Sequence, residues 1–322
     1  MPRIAEETID GREEATIDEF IAFIEVTSRK RHPTGPIPRF NQGRASGCVH
    51  ASFTVPAGLA PELQVGLFAK PAAYDAWIRF ANASSDTDRD ADVRGMSIKV
   101  LDVPGSNLTA GATSQDFILN SYPVMVVPNT AEFLKLLRAM DAGGLEMASY
   151  FLRHPQAAVI GAQARQHPSS HLDIPYWSTT PYRLGVGRAV KYIVRPTSAT
   201  TSKQPFPLTD TYLRDALAER LSMADASFEF CLQFQTDAAT MPIEDASVEW
   251  KEHDSPYLPV ARIVIARQDI TLAETVSRCE AVAFNPWFSL VDHRPLGNMN
   301  RARRRIYQAM AAFRQAHGSP TP

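Results

Sequence analysis

The sequence predicts an α+β fold, an antiparallel β-barrel or sandwich of about eight strands with helices appended. Three observations predict it. Short runs rich in β-branched and aromatic residues recur between turn signals, helical punctuation clusters in a few separate stretches, and neither a repeat nor a clear linker divides residues 1–322. The last of these makes the chain a single domain.

Thr16 to Lys30 carries Ile17, Phe20, Ile21 and Ile24 on one helical face, and residues 1–30 are read as an N-terminal helical arm. Arg31 to Gly47 is rich in Pro and Gly and should be an extended loop, where binding groups tend to sit. Strand signals follow at Val49–Val55, Gln64–Ala69, Trp77–Ala81, Gly95–Leu101 and Asp116–Val127. Thr130 to Gly144 reads as a helix, with Thr130 as N-cap candidate and Gly-Gly at its end. Helical pattern continues to about Gln166, and Gln166 to Gly185 is then an aromatic, proline-containing loop. Strand patterns return at Ala189–Arg195, Ser227–Gln235, Ser247–Glu252 and Val260–Arg267, interrupted by a helix from about Asp210 to Leu221. Glu274–Ala283 is helical by pattern, and a C-terminal helix covers 299–317.

Composition narrows the class. With 322 residues, 44% apolar and 21% charged, the chain suits a globular protein with a sizeable core. A net charge of −2 supplies no global field toward nucleic acid or an acidic membrane. The acidic N-terminus has no apolar signal core, and no run approaches the length of a membrane span, so neither is expected. Cys48, Cys231 and Cys279 are odd in number, widely spaced and free of any CxxC, which argues against a disulfide framework or zinc site and suits a cytoplasmic protein.

The stretch Asn300 to Arg314, NRARRRIYQAMAAFR, carries the most chemistry. At helical spacing Arg303, Tyr307, Met310 and Arg314 share one stripe, and Ala302, Ile306, Ala309 and Phe313 form a core-like stripe beside it. A guanidinium one turn from a phenol favours its charged form. A phenolate is one of the few axial ligands that proteins use for haem iron. An ordinary amphipathic helix with solvated arginines has the same pattern.

Four separated blocks decide between these: WIRFANASSDTDRDADVRGMSIKV (Trp77–Val100), QDFILNSYPVMVVPN (Gln115–Asn129), FNPWFSLVDHRPLG (Phe284–Gly297) and the tyrosine helix. Together they resemble the catalase superfamily, more closely its short branch of catalase-related peroxidases and allene oxide synthases, from about Arg39 to Arg314. The resemblance implies a catalase-like antiparallel barrel carrying haem b, with Tyr307 as the ligand of the iron and Arg303 as its phenolate partner. It also implies that Arg39, Arg79 and Arg314 receive the haem propionates.

The departures from that family fall on the distal side. Its distal histidine matches Gln42, its distal asparagine matches Ser121 with Asn120 adjacent, and its supporting serine matches Ala81. His50 is the alternative distal group if the loop alignment slips. An amide does not titrate near neutrality, whereas heterolysis of a peroxide needs a group that accepts and returns a proton. The expectation is a peroxidase-like protein, or one that transforms an organic hydroperoxide or other small oxygenated substrate, with weak or no true catalase activity. The alternatives are a non-catalytic haem or small-molecule binder and, with less weight, a scaffold without haem. Tyr122, Met125 and Phe133 are candidate apolar pocket groups. No nucleic acid or membrane partner is expected, and a homo-oligomer is compatible with the sequence.

The remaining motifs carry less. His167 and His171 lie in a loop without HExxH, so zinc is not favoured. Asp88 to Asp92, DRDAD, lacks the glycine and distal glutamate of a calcium loop and reads as solvated. His293 reads as a structural histidine. No GxSxG, P-loop or dinucleotide fingerprint is present.

Overall fold

The computed structural model describes residues 3–198 and 201–319. Its elements in order are α1 (Glu13–Arg31), β1 (Ala45–Val55), β2 (Ala72–Asn82), β3 (Arg94–Val100), β4 (Gln115–Asn120), α2 (Thr130–Ala142), α3 (Gly144–Arg153) and α4 (Pro155–Ala164). Then come β5 (Tyr176–Trp177), β6 (Tyr182–Arg183), β7 (Ala189–Pro196), α5 (Tyr212–Met223), β8 (Ala226–Phe234), β9 (Leu258–Ile265), α6 (Ala273–Ala281) and α7 (Asn298–Ala316).

The strands pair antiparallel in the order β5-β4-β3-β2-β1-β9-β8-β7, and β5 also pairs with β7. That last pairing, Tyr176 with Val194 and Trp177 with Ile193, closes eight strands into a barrel rather than a sandwich, with β6 hung on the flank of β7. Closure removes the exposed edges that an open sheet would leave. Alternation along the strands fills the interior. Val49, Ala51, Phe53 and Val55 from β1 and Ala76, Ile78 and Phe80 from β2 are buried with Phe117, Tyr192 and Phe230. Phe117 and Phe230 meet at 4.7 Å and Phe117 and Tyr192 edge-to-face at 4.9 Å, contacts that add about 1 kcal/mol each to the area they bury.

The arm packs on α7 by charge as well as by apolar contact. Arg301 donates to Glu13 at 2.7 Å, to Glu7 at 2.7 Å and to Glu244 at 3.0 Å, and Arg305 pairs with Asp18 at 2.6 Å. The arginine run is thus partly spent in fixing α7 against α1. Asn129, not Thr130, caps α2, its side chain accepting from the Glu132 N–H at 3.0 Å.

Four expectations are corrected. Residues 64–69 hold a 3-10 turn, Gly66–Phe68, instead of a strand, because Gly66 at φ +55° lies against His293 where a Cβ would come within 2.4 Å of the ring. Residues 247–252 form no strand, and their apolar pattern serves to bury Trp250 with Met241, Ile243 and Leu296. The strand expected over 116–127 stops at Asn120, since Pro123 and Pro128 cannot continue a ladder. Finally, Cys48 on β1 is disulfide-bonded to Cys279 on α6 across 231 residues, Cα to Cα 5.4 Å. Sequence spacing carries no trace of that adjacency. The bridge removes the ground on which cysteine usage favoured the cytoplasm. Among the described residues no helix is long and apolar enough to cross a membrane.

Candidate functional site

Three guanidinium groups from three distant segments converge. Arg39 comes from the loop after α1, Arg79 from β2 and Arg314 from α7, and each lies within the electrostatic reach of another. Arg79 is only 2% exposed. Its Nη2 donates to the carbonyls of Gln42 at 2.8 Å and Gly43 at 3.3 Å, while its buried Nε has no partner among the described residues. Burial first, then Arg39 and Arg314, push Arg79 down to about 9, so it stays charged at neutral pH. Arg39 donates to Glu280 Oε2 at 3.4 Å and to the carbonyls of Glu280 at 3.2 Å and Val282 at 2.9 Å. Arg314 donates from Nε to the Ile37 carbonyl at 3.1 Å. Among the described residues Glu280 is the carboxylate that acts on all three. Three cations against one anion, with a buried donor left over, leave uncompensated positive charge at this point of the structure.

The neutral side of the site adjoins this cluster. Gln42 sits at φ +53°, its N–H donating to the Ala83 carbonyl at 2.9 Å. That left-handed turn aims the side chain at β4, where Nε2 donates to Asn120 Oδ1 at 3.3 Å. Gly95, opposite Asn120 on β3, makes the space, because a Cβ there would lie 2.4 Å from the Gln42 amide nitrogen. Two side-chain amides therefore meet at the end of β4.

On α7, Arg303 donates from Nη1 to Thr180 Oγ1 at 3.2 Å and Asn300 Oδ1 at 3.1 Å. Arg303 and Tyr307 both act on the buried Tyr182 hydroxyl, which burial above all pushes up to about 12. Tyr307 is half-buried, and Met310 on the same stripe packs against the cluster of Phe20, Ile24 and Leu134. One turn of helix separates Arg303 from Tyr307, and two more turns lead to Arg314 in the arginine cluster.

The other candidates lie elsewhere. Ser121 Oγ accepts from the Arg94 N–H at 2.8 Å and so brackets β3 to the end of β4. His50 is half exposed on β1, edge-to-face on Trp77 and 3.5 Å from Asp75, and is not joined to the amide pair. Tyr122 donates to Gln163 Oε1 at 2.8 Å, the Met125 N–H donates to the Ala246 carbonyl, and Phe133 stacks edge-to-face on Phe20. The DRDAD loop is solvated only in part: Arg89 and Asp90 are exposed, whereas Asp88 and Asp92 are buried, Asp88 accepting from Asn82 at 2.8 Å and from the first N–H groups of α5. Among the described residues no cluster of His, Cys, Asp and Glu could hold a metal ion. His171 and His293 are fully buried, held by Ser46 at 2.8 Å and by the Leu67 N–H at 2.9 Å respectively. Sequence reading missed Glu280, Gly95, Thr180 and Asn300. Only Asn300, three residues before Arg303 on the helix, was within reach of a spacing argument.

A closed antiparallel barrel flanked by helices defines the fold class. Solved structures of that class match the chain. It is similar to a bacterial catalase at 13% identity and a TM-score of 0.67, covering 99% of this chain and 64% of that one. Catalase A from Saccharomyces cerevisiae matches at 16% identity and TM-score 0.66 over 98% of this chain and 67% of that one. A fungal catalase gives 12% identity and TM-score 0.68 over 99% and 66%. The chain thus spans about two thirds of the length of these structures, and the likeness establishes a catalase-like fold. No protein-family model matches the chain, and no curated protein matches it by sequence.

Proposed function

We propose that this chain is a haem protein of the short catalase-related kind, in which Tyr307 is the axial ligand of the iron and Arg39, Arg79 and Arg314 hold the two haem carboxylates. The reading makes it peroxidase-like, or a protein that transforms an organic hydroperoxide or another small oxygenated substrate. The observation that carries it is the buried Arg79 with its unpartnered Nε, flanked by two further guanidinium groups, one of them Arg314 on the α7 stripe that also carries Tyr307. A charge buried with an unmet donor costs stability, and a bidentate carboxylate offsets that cost.

When bound, haem supplies iron able to break an O–O bond. The chain's own residues fix what accompanies that chemistry. Gln42 and Asn120 both donate and accept hydrogen bonds, so they orient an oxygenated ligand, but neither takes up a proton near neutrality. His171 cannot stand in, since it is wholly buried and bound to Ser46, and burial holds it down to about 3. A site that orients without shuttling protons disfavours dismutation of hydrogen peroxide. The competing reading, a haem or small-molecule binder without turnover, draws support from Gln42 already being engaged by Asn120.

The absorption spectrum as isolated and after adding hemin, in wild type and Tyr307→Phe, tests the proposal. A Soret band with ferric high-spin features that changes in the variant is expected. No band in either preparation withdraws the roles given to Arg39, Arg79, Arg303, Tyr307 and Arg314. Turnover of an organic hydroperoxide with a generic reductant then separates the enzyme from the binder.

A further inference from the structure

Helix α6 is fastened to the barrel by little besides sulfur. Cys279 is its one buried residue, and it is bonded to Cys48, which lies opposite Arg79 in the β1–β2 ladder. Arg278 adds a contact over the Trp77 ring at 5.2 Å. The next residue, Glu280, is the carboxylate of the arginine cluster, and Arg39 also takes the carbonyls of Glu280 and Val282. The tether therefore keeps a carboxylate and two carbonyl oxygens of this chain on a guanidinium that an anionic ligand needs.

We propose that the Cys48–Cys279 disulfide is a redox latch on the arginine site. Oxidised, it keeps Glu280 and the carbonyls beside it on Arg39. Reduced, it frees α6, and a ligand carboxylate takes their place. The inference rests on the reading that Arg39, Arg79 and Arg314 receive the haem carboxylates. The step uses an external dithiol: its thiolate attacks one bridge sulfur, its second thiol resolves the mixed disulfide, and Cys48 and Cys279 each gain an electron and a proton. Cys231 stays out of the exchange, because desolvation and the neighbouring Glu229 carboxylate push its thiol up to about 12 and leave it almost no thiolate near neutrality. The Glu280 side chain is 47% exposed, so its ion pair with Arg39 is weak and, without the tether, easily exchanged.

Hemin binding to the purified protein is followed by absorption in the oxidised form, in the form reduced with dithiothreitol, in Cys48→Ser/Cys279→Ser and in oxidised Glu280→Gln. Denaturing thiol titration should count one thiol in the oxidised wild type and three in the reduced. Reduction is expected to tighten apparent hemin affinity about tenfold, the closed form acting as a competitor for the site. The double variant should match the reduced form with or without dithiol, and Glu280→Gln should bind faster while still oxidised. Equal affinity of the oxidised and reduced wild type, with the thiol counts confirmed, overturns the latch. Amide exchange across residues 273–282 of wild type supplies a readout independent of both the variants and haem: it should accelerate on reduction, and unchanged protection also overturns the latch. Hemin binding to neither form removes the haem reading, and the exchange result then decides the latch alone.

Discussion

Arg79 donates from Nη2 to the carbonyl oxygen of Gln42 over 2.8 Å, so the guanidinium cluster and the amide pair are one construction. The left-handed turn that aims the Gln42 side chain at Asn120 is held by the same arginine whose buried Nε has no partner among the described residues. The arginine cluster and the amide pair are therefore coupled through one residue.

Replacing that residue should separate stability from binding. Replacing a buried ionic group by hydrophobic side chains of similar volume is often neutral or stabilising by about 1–4 kcal/mol, but here it also leaves the carbonyls of Gln42 and Gly43 without their donor, at a cost of about 1–3 kcal/mol. With these effects opposed, Arg79→Met should leave the melting temperature of the ligand-free protein little changed, while hemin affinity falls on the order of tenfold or more. Thermal unfolding and a hemin titration check both halves. A destabilised protein with intact hemin affinity would remove Arg79 from the binding site.

Gly95 makes a narrower case. A methyl group there meets the far end of a flexible side chain, the Gln42 amide at 2.4 Å, rather than backbone. Gly95→Ala should therefore fold with a stability loss of about 1 kcal/mol or less while dislodging Gln42 from Asn120. If the contact acts only through Gln42, Gln42→Ala adds nothing to Gly95→Ala in the affinity of an exogenous ligand such as azide for the hemin-loaded protein. Additive effects of the two substitutions would show that Gly95 acts elsewhere.

Much of the barrel was legible because strand alternation is a local signal: β1, β2, β3, β7, β8 and β9 lie where apolar and β-branched runs put them. β5 and β6 were not, since strands of two residues carry no period, yet β5 closes the barrel. The site divides in the same way. Arg303, Tyr307 and Arg314 share a stripe that helical spacing reveals. Arg39 and Arg79 are singled out by the resemblance and by no local pattern. Glu280 and the Cys48–Cys279 bridge had no local signature, because both arise from α6 folding back on β1. DRDAD reads as solvated by composition, and Arg89 and Asp90 are exposed, whereas Asp88 and Asp92 are absorbed by Asn82, Ser84 and the start of α5.

The two buried histidines set an acid limit. Burial, with Arg94 adding to it, holds His171 down to about 3, and burial holds His293 down to about 4, both from an ordinary 6.5. As the pH falls below 6.5 the unfolded chain takes up these protons and the folded chain does not. Stability is thus complete above about 6.5 and is lost progressively toward 4 and then 3. At about 1.4 kcal/mol per pH unit for each group, the pair costs on the order of 4 kcal/mol by pH 5. Urea unfolding at neutral pH and at pH 5 should show that difference, and His171→Gln should remove about half of it. Equal stability at the two pH values in wild type would mean the histidines are solvated.

The amide pair gives the sharpest test of the chemistry. In Gln42→His the imidazole would replace an amide whose partner, Asn120, can both accept and donate a hydrogen bond. A group titrating near neutrality then stands where only a neutral amide stood. Proton transfer of this kind contributes about 10²–10⁴-fold to a rate. Oxygen release from hydrogen peroxide by the hemin-loaded variant should rise by a factor within that range, while Gln42→Asn, which restores an amide without a titrating group, should show no gain. A variant that holds haem yet releases no more oxygen than wild type would mean that the missing proton acceptor is not what limits dismutation, and the proximal arrangement on α7 would become the place to look.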